Sequence, residues 1–324
     1  MQLPGDRYSF SIRPDKAVVR KKRMRLLILI IVPAVSAGLG YMFLSGRITI
    51  PFLGAAEEQS APQEEQQSLA QLWELRDYVT INERCSEALE EEPLSERHLL
   101  YNGFSYFYRG ANQYSPEDQL PLFQKAVVNL RKLLVLDSPP EEGKIHYVLG
   151  KTYYHKGRFY LDLAVHHLKR AVESEYSAAD LYRYLGLALG EMGNYEESIN
   201  YFLTAAEEKP DAILYMTIGQ TYYKMGRNEK ALDFLNRAVQ GTEETAVEQR
   251  ARFLLGKIYM DMDMLEKAKD QYEVILSNEP KSADAHFHLG EIYEMQGDNV
   301  KARAEWRTTL DIEPSHYGAL LKLY

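Results

Sequence analysis

The sequence predicts an all-α protein, a solenoid of stacked helical hairpins preceded by one N-terminal transmembrane helix. Two observations carry this reading. Residues 26–45, LLILIIVPAVSAGLGYMFLS, run for 20 residues without a charge. Downstream, glycines at 103, 150, 186, 219, 256 and 290 recur at steps of 47, 36, 33, 37 and 34. A step of this size marks a repeat architecture, whose units cannot bury their apolar faces alone and must stack on their neighbours.

The elements follow in chain order. Residues 1–47 carry nine Lys/Arg and two Asp, a net charge of +7 in a chain whose total is −9, so the remainder carries −16. A basic head on an acidic body places the two ends in different surroundings. Residues 1–25 read as a basic cytoplasmic tail. An uncharged helix of 20 residues is long enough for a hydrocarbon layer of about 30 Å. Pro33 within it is tolerated in such a setting. Arg20, Lys21, Lys22, Arg23 and Arg25 precede the run, and only Arg47 follows before Glu57, which sets the N-terminus inside and the body across the membrane. A cleavable signal with core Leu26–Val32 and box Val35-Ser36-Ala37 is the rival, but the apolar run continues past that box. Residues 46–67 read as a flexible acidic linker, or tether, because 54–67, GAAEEQSAPQEEQQ, are polar, acidic and nearly free of large apolar groups.

Residues 68–324 repeat. His286-x-x-Leu289-Gly290-x-x-Tyr293, Ala302-x-x-x-Trp306 and Pro314 match Leu255-Gly256-x-x-Tyr259, Ala268-x-x-x-Tyr272 and Pro280. Upstream stand Ile218-Gly219-x-x-Tyr222 with Ala231-x-x-x-Leu235, Leu185-Gly186-x-x-Leu189 with Ser198-x-x-x-Phe202, and Leu149-Gly150-x-x-Tyr153 with Ala164-x-x-x-Leu168. Gly103, Tyr106 and Ala126 mark a worn unit, and Cys85, Ala88 and Pro93 the second helix of another. The pattern resembles the tetratricopeptide repeat (TPR), which implies five clear and two degenerate units wound into a right-handed solenoid.

Each residue type has a physical role. The key glycine lets the two helices of a unit approach. The bulky Phe/Tyr/Trp position is expected to fill space between neighbouring units. Prolines stop the second helix. Gly157, Gly193, Gly226 and Gly297 turn the chain between helices. Between Gly103 and Ala126 lie extra residues, ANQYSPEDQLPLFQK over 111–125, expected to form a surface loop that either contacts a partner or is a tolerated insertion.

No catalytic constellation is present. There is no phosphate-cradling loop ending in Lys-Ser/Thr. The lone Cys85 sits at a bulky core position and reads as a small apolar residue. His286 and His288 are two apart on a helix, and His166 and His167 are adjacent, so neither pair can pinch a metal. The expectation is a protein that is not an enzyme and holds no cofactor. The acidic body excludes nucleic acid as the main partner.

In the resembled family, ligands lie along the first helices, which line a concave groove. Carried over by offset from each glycine, the groove positions include Phe104, Phe107, Lys144, Tyr147, Lys151, Tyr154, Arg183, Met216, Tyr223, Lys224, Arg250, Phe253 and Lys257. Cations interleaved with rings and thioethers suit a protein or peptide partner with acidic segments. The expected function is a membrane-anchored scaffold or adaptor for assembly of a bacterial cell-envelope complex, anchored in the inner membrane with its repeats periplasmic. A homo-oligomer or a multi-protein complex fits the same surface. The alternatives are a cytosol-facing organelle receptor for import or sorting, and a non-catalytic subunit of a membrane enzyme.

Overall fold

The computed structural model describes residues 67–324, which form helices and their connections with no strand among them. The expected membrane helix over 26–45, the tail before it and nearly all of the tether lie outside the described residues. Among the described residues no helix is long and apolar enough to cross a membrane.

The chain divides into two compact units, with the boundary inside one helix, between Lys125 and Ala126. The first unit holds α1 (Leu69–Glu74), α2 (Tyr78–Glu91), α3 (Glu96–Ala111) and the start of α4 (Pro116–Leu133). Ser68 and Gln71 close a capping box that starts α1. The trace Cys85-Ala88-Pro93 belongs to α2 and the bend after it. Cys85 is fully buried, and burial pushes its thiol up to about 12, so it stays a protonated, inert apolar body.

The extra residues over 111–125 do not form the expected loop. Only residues 112–115 connect α3 to α4, and the rest lengthen α4. The local chemistry favours this. Ser115 Oγ accepts the Asp118 N–H at 3.2 Å, Pro116 opens the helix where no N–H is needed, and Glu117 and Asp118 complement the N-terminal dipole.

The second unit begins with the remainder of α4. Five hairpins follow: α5 (Glu142–Lys156) with α6 (Leu161–Glu173), α7 (Leu181–Glu191) with α8 (Tyr195–Glu208), α9 (Ala212–Lys224) with α10 (Asn228–Gln240), α11 (Thr245–Asp261) with α12 (Leu265–Asn278), and α13 (Ala283–Met295) with α14 (Asn299–Ile312). The short α15 (Tyr317–Leu323) packs on α14. Each second helix also packs on the first helix of the next hairpin. Pro210, Pro280 and Pro314 follow the ends of α8, α12 and α14, as expected. The turn glycines take left-handed φ, +86° at Gly193 for example, and in the fourth hairpin Asp263 fills that slot at +57°.

The packing rule within a hairpin is glycine against bulk. A Cβ on Gly186 would meet the Phe202 ring at 2.5 Å, one on Gly150 would meet Leu168 at 2.5 Å, and one on Gly256 would meet Tyr272 at 2.6 Å. Gly219 faces Leu235 and Gly290 faces Trp306 in the same way. The bulky position therefore fills the cleft of its own hairpin and from there also reaches the next one: Tyr272 stacks on His288, and Phe202 shares a core with Leu214 and Ile218. The reason is geometric: a bare glycine opens a ring-sized recess directly opposite it. Ala164, Ser198, Ala231, Ala268 and Ala302 are fully buried at the start of the second helices, and the Ser198 hydroxyl donates to the Gly186 carbonyl at 2.6 Å.

Candidate functional site

The first helices of the second unit expose one face, and along it α5 touches α7 and α9 touches α11. Three of the thirteen residues read from sequence are not on an accessible surface. In the first unit Phe104 and Phe107 are only 3 % exposed; Phe104 packs 6.3 Å from Trp73 and Phe107 6.1 Å from Phe123, ring centre to ring centre. Met216 is buried in the core that contains Phe202 and Leu235. An apolar side chain at the edge of a helix face gains about 1.5–3 kcal/mol by turning inward, so these three belong to the core and not to a groove.

The remaining ten lie on the first-helix face of the second unit, but the charges there are not uniformly available. Lys151 Nζ pairs with Asp180 of α7's N-cap at 2.8 Å and reaches the Tyr147 hydroxyl at 3.0 Å. Its ammonium also lies over the Tyr147 and Tyr184 rings, at 4.9 and 4.6 Å from their centres. The Tyr147 hydroxyl donates to Asp180 at 2.5 Å. Burial first, and then the Asp180 carboxylate, hold the Tyr147 phenol well above its ordinary range, so it remains a donor. Arg183 donates to Asp211 at 2.5 Å, and Asp211 also accepts the Leu214 N–H at 2.7 Å to cap α9. Lys144 pairs with Glu141 beside it at 2.6 Å.

Two tyrosines repeat one contact. Tyr154 of α5 donates to Glu191 of α7 at 2.8 Å, and Tyr223 of α9 donates to Asp261 of α11. In both, the tyrosine stands four residues after its glycine and the acid five residues after the next one. Burial raises the Tyr154 phenol out of its ordinary range, with Glu191 adding to it, and burial raises the Tyr223 phenol to about 12. Both are neutral donors. Of the other cations, Lys224, Arg250 and Lys257 are exposed, and Phe253 is half-buried. The acids Asp180, Glu191, Asp211 and Asp261 are the residues that sequence reasoning undervalued. For Glu191 and Asp261 the signal was present as a tyrosine at offset +4 with an acid at +5 in the next repeat.

Lys151 is thus an inter-repeat clamp. Lys151→Glu would set a carboxylate against Asp180 in a site where the lysine side chain is 14 % exposed. The expected outcome is a loss of about 3 kcal/mol, because a partly buried pair is replaced by like charges. Urea unfolding of the variant checks this; an unchanged midpoint would mean that the clamp contributes nothing.

Among the described residues no group of three His, Cys, Asp or Glu could hold a metal ion. The chain's helical hairpins, with glycine set against bulk in each, define the class of protein. Two family models described as tetratricopeptide repeat match residues 177–244 and 253–315, so these stretches are tetratricopeptide repeats. The C-terminal part of a TPR repeat-containing protein from Cytophaga hutchinsonii shares the fold, with a TM-score of 0.59 at 19 % identity over 79 % of this chain and 98 % of that one. Human protein O-mannosyl-transferase TMTC1 is 27 % identical over 168 residues, 51 % of this chain and 19 % of that protein. Anaphase-promoting complex subunit 3 of Schizosaccharomyces pombe is 26 % identical over 229 residues, 69 % of this chain and 31 % of its own length. The chain therefore spans less than a third of either of these relatives.

Proposed function

We propose that this chain is a membrane-anchored adaptor that captures a protein partner on the first-helix face of residues 142–295, without chemistry of its own, in the assembly of a cell-envelope complex. One observation carries the reading. Successive first helices present half-exposed Tyr, Phe, Lys and Arg side chains on one face, and none of them converges on a reacting centre. The similarity to a subunit of a multi-protein complex fits a scaffolding role. The anchor and its orientation rest on the uncharged run over 26–45 and the basic residues before it.

The test uses the full chain in its own cells, carrying a photo-crosslinking amino acid at Phe253 on α11 or at Asn236 on α10. The expected result is partner adducts from position 253 and none from 236. Adducts from 236 alone would overturn the assignment of the face. Protease added outside the membrane is expected to cleave the chain beyond residue 60. Full protection there, with cleavage from the cytosolic side, would favour the organelle-receptor reading.

A further inference from the structure

Tyrosine–carboxylate contacts fill two of the four positions, or rungs, between successive first helices; of the other two, the α11–α13 position falls on the uncharged pair Met260 and Met295. Tyr154 to Glu191 joins α5 to α7, and Tyr223 to Asp261 joins α9 to α11. The equivalent rung between α7 and α9 falls on Gly190 and Lys224. Where the two filled rungs carry a tyrosine there is no side chain here, and where they carry a carboxylate there is an exposed ammonium. Lys224 forms no ion pair among the described residues; its nearest ring, Tyr195, lies 6.0 Å from Nζ. Lys257 on α11 is likewise exposed and without an ion pair among the described residues, with its Nζ 5.8 Å from the Tyr223 ring. The neighbouring acids Glu191 and Asp261 already accept from tyrosines, whereas both lysines are uncommitted.

From this we infer that the gap at Gly190 and Lys224, with Lys257 on the next first helix beside Tyr223, is the subsite that receives an Asp or Glu side chain of the partner polypeptide. The inference rests on the proposed first-helix binding face and narrows it. The Lys151 and Arg183 end is closed by its own acids, and recognition of an acidic residue is confined to α7, α9 and α11. A carboxylate suits the gap on three counts. It supplies the acceptor that the missing rung lacks. It neutralises Lys224, the ammonium that stands where the neighbouring rungs hold a carboxylate. The absent side chain at Gly190 leaves room for the ligand's backbone to approach the helix.

The experiment selects binders from a phage library of random twelve-residue peptides against the full-length chain in detergent. Wild type is compared with Lys224→Gln, with Lys257→Gln, and with the double variant Gly190→Tyr/Lys224→Glu, which rebuilds the missing rung from the protein's own residues. A Cβ at position 190 would stand 3.1 Å from the Ser198 hydroxyl, which is buried and bonded to the Gly186 carbonyl, so the fold of this variant is checked first. Wild type is expected to enrich peptides with an Asp or Glu at one position. Each lysine variant is expected to bind those peptides about tenfold more weakly, the size of one charge-assisted hydrogen bond, and the rebuilt rung to abolish binding. Should the double variant unfold by circular dichroism, the single glutamine variants decide alone. Enriched peptides that compete with one another and crosslink to Phe253, yet lack an acidic residue, would overturn this subsite while leaving the binding face intact. Peptides that bind but never crosslink to first-helix positions would overturn the face itself.

Discussion

Gly186→Val is expected to destabilise the protein by about 3 kcal/mol, in the upper range for overpacking a core. The cause is local and rigid. The Phe202 ring lies 2.5 Å from where a Cβ would stand, and Phe202 is itself only 2 % exposed, walled by the core it shares with Ile199, Leu214 and Ile218. The ring cannot rotate out without opening that core. Valine adds branched bulk at the same place, while its small gain in helix propensity over glycine cannot compensate. Pairing the change with Phe202→Ala is expected to recover about half the loss, because the smaller residue leaves space for the valine while giving up its own burial. Urea unfolding followed by far-UV circular dichroism measures both. A Gly186→Val protein as stable as wild type would remove the packing rule on which the repeat register depends.

The second large effect is acid lability from a buried histidine pair. His146 of α5 and His167 of α6 are both nearly sealed from solvent, and their Nδ1 atoms are 2.8 Å apart. One ring must donate and the other accept, and burial of both favours their neutral forms in the folded protein. Burial pushes His167 down to about 3, helped by the neighbouring His146, His166 and Arg131. Burial also lowers His146, although Glu142, 3.6 Å from its Nε2, works the other way and Arg170 and His166 add to the lowering. The unfolded chain binds protons on these rings below about pH 6.5, where the folded chain does not. Stability is therefore fully present above that pH and falls on acidification toward the folded values. Between pH 6.5 and 4.5 the loss expected from His167 alone is about 2–3 kcal/mol. Urea midpoints across this range are expected to fall steeply in wild type and less steeply in His146→Leu/His167→Leu. Equal slopes in the two proteins would show that the pair is not the source.

Much of this molecule was legible from residue spacing. Period, helix count in the five clear hairpins, prolines past the second helices and left-handed turn glycines all follow from local chemistry. A glycine seven residues after another needs no distant neighbour to turn the chain. The inert reading of Cys85 also followed from its position in the repeat. The first unit was less legible, because α1 is short and 111–125 is spent on lengthening α4, a choice made by Ser115, Pro116, Glu117 and Asp118 rather than by the period.

Sequence by itself determined the stacked-hairpin design and which residues stand on the first helices, since helical periodicity maps position to face. Only the tertiary structure decided which of those residues are free to act. Phe104, Phe107 and Met216 turned inward because burying apolar surface outweighs exposing it. Lys151 and Arg183 found acids on the following repeat, and Lys224 and Lys257 did not. Such pairings join residues some 28–29 positions apart, and a period along the chain cannot reveal whether a charge on one hairpin meets its opposite on the next.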